Sequence, residues 1–245
     1  MKRNNIFGLI GRNIDYSFSK NYFTKKFALE NINYTYQNFD IDNIKILESI
    51  FSENKIAGLN VTTPFKEEVI NYLDEIDQTA SCIGAVNTIK IIGHKKKGYN
   101  TDYLGFEKSL INTMGKEKVE SALILGSGGA TKAIKYALNN LGIDQSVVSR
   151  TEGKCEYTYE DLSKEIINSH KLIINCSPVG TFPNTDKSPR IPYKFLNKHN
   201  ILYDLVYNPT VSLFLKKGLE RGCKIKNGLE MLQIQADESW RIWNS

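Results

Sequence analysis

No apolar stretch in this 245-residue chain approaches the roughly 20 consecutive residues of a membrane-spanning helix, so no segment reads as a span. Cysteine is sparse: Cys82, Cys155, Cys176 and Cys223 stand far apart with no CxxC pair. They read as free thiols in a reducing, cytoplasmic setting, not as a disulfide framework. Histidine is scarcer still. His94, His170 and His199 are scattered, with neither a ligand spacing nor a triad order, so no metal is expected. The apolar run at 6–10, behind Lys2 and Arg3, is interrupted by Gly11, Arg12, Asn13 and Asp15 and is too short for a signal peptide. Internal repeats and low-complexity tracts are also missing.

What is present is an ordinary globular composition, 41% hydrophobic and 24% charged. The length suits one large domain or two modest ones. The net charge of +5 comes from 32 basic and 27 acidic side chains, with the lysines dispersed. That bias is too weak to imply a nucleic-acid partner, and no membrane partner is expected. A monomer or homodimer handling a small molecule is. The dense run Lys95-Lys96-Lys97 sits between two apolar stretches and reads as decoration on a hairpin turn.

Short apolar runs alternate with segments of helical period. Residues 6–10, 34–39 and 56–61 predict strands, and 19–30, 41–51 and 64–73 predict helices. Residues 88–92 and 97–100 predict a hairpin added antiparallel at the edge of a mainly parallel sheet. A second series follows a linking helix after Asp102. Its predicted strands lie at 121–125, 145–149, 171–175 and 201–206, and its helices near 130–141, 159–169 and 211–221. The expected fold class is α/β: an N-terminal α/β domain at 1–102, a doubly wound Rossmann-type domain at 103–226, and a C-terminal helix at 227–245 that returns to the first.

Ala122-Leu123-Ile124-Leu125 runs into Gly126-Ser127-Gly128-Gly129-Ala130 and then a helix, the setting of a dinucleotide fingerprint. Glycines there permit a tight turn and let backbone N–H groups approach a pyrophosphate at a helix N-terminus. Thr131 stands where the standard pattern has its third glycine, and such a turn also serves plain helix–sheet packing. The next strand ends at Ser149-Arg150-Thr151 instead of at an acidic residue. An arginine there suits the 2′-phosphate of NADP, with Lys154 adding charge, although Glu152 partly cancels it.

Asn60-Val61-Thr62-Thr63-Pro64-Phe65-Lys66 reads as a strand end followed by a helix start. Thr63 is its expected N-cap, Pro64 its first residue, and Val69, Ile70 and Leu73 its apolar face. Lys66 would then lie in the first turn beside the positive end of the helix dipole, where an ammonium is disfavoured and poised to exchange a proton. A solvated lysine balanced by Glu67 and Glu68 is the alternative.

Ser17-Phe18-Ser19, the Asn60–Lys66 segment, Gly84-Ala85-Val86-Asn87-Thr88 and Asn100-Thr101-Asp102 occur in that order. With the glycine turn and Ser149-Arg150-Thr151 they form a pattern that strongly resembles shikimate dehydrogenase. The resemblance continues through Asn175-Cys176-Ser177-Pro178-Val179-Gly180, Tyr203-Asp204-Leu205-Val206-Tyr207-Asn208-Pro209 and Gly228-Leu229-Glu230-Met231-Leu232 with Gln235, and so covers nearly the whole chain. Three positions depart from it. Tyr16 stands for a frequent histidine, Lys20 for a common proline, and Ser149 for the usual asparagine.

The resemblance implies an N-terminal substrate domain, an NADP domain and an active site in the cleft between them. It implies reversible reduction of 3-dehydroshikimate to shikimate by NADPH, a step of chorismate and aromatic amino acid biosynthesis. Ser17 and Ser19 would hold the ring carboxylate with help from Tyr207. Thr62, Lys66, Asn87, Asp102 and Gln235 would meet the ring hydroxyls and the reacting oxygen, Lys66 and Asp102 being catalytic and titrating as a pair. Gly126, Ser127, Gly128, Gly129 and Ala130 would meet the pyrophosphate, and Ser149, Arg150, Thr151 and Lys154 the adenosine 2′-phosphate. Leu205 and Gly228 would lie near the nicotinamide. Alternatives are a quinate/shikimate dehydrogenase with relaxed substrate or cofactor choice, and a non-catalytic sensor of the same fold. Residue by residue the motifs also admit plainer roles: Ser17, Ser19 and Asp102 as helix caps, Asn87 and Asn100 as turn residues.

Overall fold

The computed structural model describes residues 6–15, 17–52, 56–151, 153 and 155–245. The chain forms two compact units, one comprising the residues up to Thr101 with Ala236–Ser245, the other Asp102–Gln235.

The first unit contains β1 (Ile6–Gly11), α1 (Phe18–Leu29), β2 (Thr35–Asp40), α2 (Leu47–Ser52), β3 (Ile56–Val61), β4 (Glu75–Ile76), α3 (Gln78–Ile83), β5 (Thr88–Ile92) and β6 (Lys95–Tyr99). Its sheet has the order β2-β1-β3-β5-β6-β4. β1 runs parallel to β2 and β3, whereas β5 is antiparallel to β3 and β6. Alternation along the strands serves two cores. Ile10, Leu59, Val61 and Ile89 pack with Leu47, Ile50 and Val69 on one face. Phe7 and Leu9 pack with Phe23, Phe27, Tyr36 and Trp243 on the other. Gly58 makes room for the last of these: a Cβ there would lie 2.4 Å from the Trp243 indole nitrogen. That nitrogen donates to the Ile89 carbonyl at 2.9 Å.

The second unit contains α4 (Asp102–Met114), β7 (Ser121–Leu125), α5 (Gly129–Asn140), β8 (Asp144–Ser149), β9 (Tyr157–Thr158), α6 (Lys164–Ser169), β10 (Leu172–Asn175), β11 (Ile201–Asp204), α7 (Leu213–Leu219), β12 (Lys224–Lys226) and the start of α8 (Leu229–Asn244). Every pairing in its sheet is parallel, in the order β12-β11-β10-β7-β8-β9. Numbered within the unit this is 6-5-4-1-2-3, the doubly wound dinucleotide-binding order with its switch point between β7 and β10. Ala122, Leu123, Ile124 and Leu125 are fully buried, as a strand covered on both faces requires. Ala122 and Ile124 join Phe106, Leu110 and Ile134, while Leu123 and Leu125 join Ile173, Leu202 and Phe214.

Several elements differ from the sequence expectation. The helix expected at 64–73 is instead a turn at 63–67 followed by a 3₁₀ segment, Glu68–Tyr72, after a cis Thr63–Pro64 bond. The reason is tertiary: the Lys66 carbonyl accepts from the Val86 N–H at 2.7 Å and is committed outside its own segment. Lys66 therefore does not occupy the first turn of an α-helix, and activation by a helix dipole is withdrawn. The lysine run does not decorate a turn. Lys95, Lys96 and Lys97 lie along β6, and the turn is at Gly93 and His94. β4, outermost in the sheet, brings up Glu75, which pairs with Lys95 at 3.2 Å, and follows Asp74, which pairs with Lys96 at 3.1 Å. The hairpin is thus interior. α6 starts late because the Asp161 carboxylate accepts from the Thr158 N–H and hydroxyl, both at 2.7 Å, closing a turn where a helix was expected. Among the described residues no helix is long and apolar enough to cross a membrane.

Candidate active site

In the first unit, the sheet edge where β1 and β3 end and β5 begins gathers the expected substrate residues Thr62, Lys66 and Asn87 and the loop that leads to Ser17. The Thr62 N–H donates to Ile10 at 2.8 Å and the Arg12 N–H to Thr63 at 3.2 Å, so the loop after β1 lies against the segment after β3. Gly11 permits this approach, because a Cβ there would sit 2.5 Å from the Thr62 methyl. On the other side the Val61 N–H donates to the Asn87 carbonyl at 2.8 Å and the Val86 N–H to Lys66. Thr62, Lys66 and Asn87 therefore occupy neighbouring segments, with the loop leading to Ser17 beside them.

Ser17 stands at the N-cap position of α1 with extended backbone, yet its side chain makes no capping bond. Its hydroxyl oxygen is buried without a hydrogen-bond partner among the described residues. A buried polar atom left unpaired costs about 1–3 kcal/mol, which an anion seated there would recover. Ser19 is buried close to the Tyr36 hydroxyl. Lys20 is exposed on α1, and Tyr16 lies outside the described residues.

The second unit places Asp102 at the first position of α4 and Gln235 on α8, both buried. The two helices pack closely. A Cβ on Gly105 would lie 2.6 Å from the Met231 carbonyl and 3.1 Å from the Gln235 Cβ.

The glycine turn follows β7 at the switch point. Gly126 has φ +114°, a conformation side-chain-bearing residues rarely adopt, and it faces the turn after β10, where a Cβ on it would lie 3.3 Å from the Ser177 nitrogen. Gly128 caps α5 with no side chain to occupy its first N–H groups. Thr131 answers the gap in the fingerprint: its hydroxyl donates to the Gly126 carbonyl at 2.8 Å, bracing the turn from within the helix. The Ser127 and Ser149 hydroxyls lie 3.1 Å apart, and the Thr151 N–H approaches the Ser149 hydroxyl at 3.3 Å. Ser149 thus links the turn to the end of β8, and Arg150 is exposed beside it. Tyr159 lies within electrostatic reach of Arg150; burial raises its phenol while the guanidinium opposes that. Lys154 and Glu152 fall outside the described residues.

Beyond β11, the backbone turns sharply. Leu205 donates to the Asn175 carbonyl at 3.0 Å, and the Gly228 N–H to Val206 at 3.2 Å. A Cβ on Gly228 would lie 2.2 Å from the Leu205 carbonyl, so only glycine fits. Asp204 beneath this turn accepts from Asn175 at 2.9 Å, from the Val206 N–H at 3.0 Å and from the Ser212 hydroxyl. Burial nevertheless pushes its carboxyl up to about 6. Tyr207 is partly buried in the same turn. Burial also raises the Cys176 thiol, keeping it an inert packing group.

The switch-point turn, the uncapped helix and the close Gly228–Leu205 contact fit a dinucleotide. The family model described as the shikimate dehydrogenase substrate binding domain matches residues 9–89. A shikimate dehydrogenase (NADP(+)) of Methanococcus maripaludis is 38% identical, with 97% of this chain and 91% of that protein aligned. The chain belongs to the shikimate dehydrogenase family. A crystal structure of shikimate dehydrogenase in complex with NADP+ matches it with TM-score 0.87 and 32% identity, over 98% of this chain and 90% of the other. The enzyme of Thermus thermophilus, in complex with NADP(H) and shikimate, also matches at TM-score 0.87, with 28% identity over 98% of this chain and 93% of its own.

Set beside the family pattern, the structure adds residues that the motifs did not single out. Tyr36, Asn60, Thr88, Thr101 and Ser239 are buried polar side chains hydrogen-bonded among or around the expected ligands. Asn60, Thr88 and Thr101 lay inside quoted motifs, so a polar residue at or near a strand end was their signal. Tyr36 and Ser239 gave none, since one sits in an alternating strand and the other on an amphipathic helix.

Proposed function

We propose that this member of the shikimate dehydrogenase family is an NADP-dependent oxidoreductase that reversibly reduces 3-dehydroshikimate to shikimate. The observation that carries the reading is the gathering of the Ser17 loop, Thr62, Lys66 and Asn87 at one sheet edge, with the Ser17 hydroxyl buried and unpaired among the described residues. An acidic polyol needs such a set: hydroxyl donors for its carboxylate, amides and hydroxyls for its ring oxygens, and an acid for the oxygen that gains charge.

Ser17 and Ser19 bind the ring carboxylate, assisted by Tyr207. Thr62, Asn87, Asp102 and Gln235 hold the ring hydroxyls. Lys66 delivers a proton to the carbonyl oxygen during reduction and takes it back during oxidation, with Asp102 as the second catalytic group. The bound dinucleotide supplies or accepts the hydride. Gly126, Ser127, Gly128, Gly129 and Ala130 hold its pyrophosphate. Ser149, Arg150, Thr151 and Lys154 take the 2′-phosphate, and Leu205 and Gly228 border the nicotinamide. The first unit serves the acid, joined by Asp102, Tyr207 and Gln235 of the second, and the second serves the nucleotide, in a monomer or homodimer working in the cytoplasm.

The test is incubation with shikimate and NADP+ while the absorbance of reduced nicotinamide is followed. Signal that requires both compounds is expected. No signal at any concentration of either would contradict the reading.

A further inference from the structure

Five buried polar side chains from four separate segments meet inside the first unit. Asn60 lies near the end of β3, Asn87 immediately precedes β5 and Thr88 begins it, Thr101 follows β6, and Ser239 lies on α8; none is more than 4% exposed. The Ser239 hydroxyl is the hub. It lies 2.8 Å from the Thr88 hydroxyl and 3.3 Å from that of Thr101, and accepts from the Asn60 amide at 3.1 Å. Thr101 is held twice by Asn87: its N–H donates to the Asn87 Oδ1 at 2.7 Å, and its hydroxyl accepts from Nδ2 at 3.0 Å. Asn60 in turn accepts from the Tyr36 hydroxyl at 2.8 Å.

We infer that Thr101 and Ser239 are positioning residues of the reaction, their hydroxyls holding the Asn87 amide and the segments that carry Asp102 and Gln235. The inference rests on the function proposed above. Thr101 immediately precedes Asp102, where the chain leaves the first unit, and Ser239 lies one helical turn beyond Gln235, just after the chain re-enters it at Ala236. The knot therefore grips both passages of the backbone at the residue or turn next to a substrate ligand. A valine at 101 keeps the shape and the N–H bond to the Asn87 Oδ1 but cannot accept from Nδ2, so the amide loses one of the bonds that fix its rotamer. Displacement of a reacting group by about 1 Å can cost on the order of a hundredfold in rate, far more than the fold loses from one hydrogen bond.

The experiment compares Thr101→Val, Thr101→Ser and Ser239→Ala with the wild type, in shikimate oxidation and thermal melting. Thr101→Val is expected to lower kcat by about tenfold or more, with its pH profile displaced, while KM for NADP+ stays within about twofold. Thr101→Ser, which keeps the hydroxyl, restores kcat and the profile. Ser239→Ala lowers kcat several-fold. If Thr101→Val does not fold, Ser239→Ala decides alone. An active wild type whose variants keep its kcat, profile and shikimate KM, or a serine variant as impaired as the valine, overturns the inference alone. An inactive wild type overturns it together with the proposed function.

Discussion

The Thr131 hydroxyl donates to the Gly126 carbonyl at 2.8 Å across the first turn of α5. A side chain where the fingerprint has glycine thus fixes the turn proposed to receive the pyrophosphate, and it is buried in doing so. Thr131→Val keeps the volume and removes the bond. It should destabilise the protein by about 1 kcal/mol, a fall of roughly 2–4 °C in Tm, and raise KM for NADP+ several-fold. Thr131→Ser should retain both properties; melting curves and cofactor titrations decide.

Arg150 stands exposed at the end of β8 where an acidic residue would select NAD. Arg150→Ala is expected to raise KM for NADPH by roughly tenfold or more, the value of a charge-assisted hydrogen bond to phosphate. Reduction with NADH should be unaffected. An unchanged preference between the two cofactors would assign the phosphate to another residue.

Ser17 offers a trade between stability and binding. Its buried hydroxyl has no hydrogen-bond partner among the described residues, so Ser17→Ala should leave Tm unchanged or slightly higher. If that hydroxyl meets the ring carboxylate, shikimate KM rises by roughly tenfold. Calorimetry together with initial rates tests both halves, and a drop in Tm with unchanged KM would reverse the assignment.

Asp204 gives the stability a pH dependence of definite sign. Burial raises its carboxyl to about 6, from an ordinary 3.8, despite three donors. The native state then holds the proton longer than the unfolded chain. The associated stability is fully present below about pH 4 and is lost as pH rises through about 6, a swing on the order of 3 kcal/mol. Asp204→Asn should abolish that component. Denaturant unfolding of both proteins across this interval should show the wild-type curve falling relative to the variant.

Much of the fold is legible in the sequence because burial on both faces leaves an unmistakable signature. Ala122-Leu123-Ile124-Leu125 before glycines announces β7 and α5, and Ile56–Val61 falls where its apolar run does. Strands of two or three residues, β4, β9 and β12, carry too little periodicity to be seen. The segment around Lys66 misleads for a different reason: its helix signals are local, while the bond from Val86 that captures the Lys66 carbonyl comes from 20 residues away. The candidate ligands are readable as ordered motifs. Ser239 is not, because a serine on an amphipathic helix looks the same whether it faces water or the Asn60 amide.

The most direct measurement is single-turnover reduction of 3-dehydroshikimate by NADPH, wild type and Lys66→Met side by side, with both ligands saturating. The account predicts that the wild type consumes NADPH in stoichiometric proportion and that the variant does so more slowly by roughly a hundredfold or more, the usual worth of a positioned general acid, while still binding both ligands. Equal rates in the two proteins, or NADPH left unconsumed by the wild type, would contradict it.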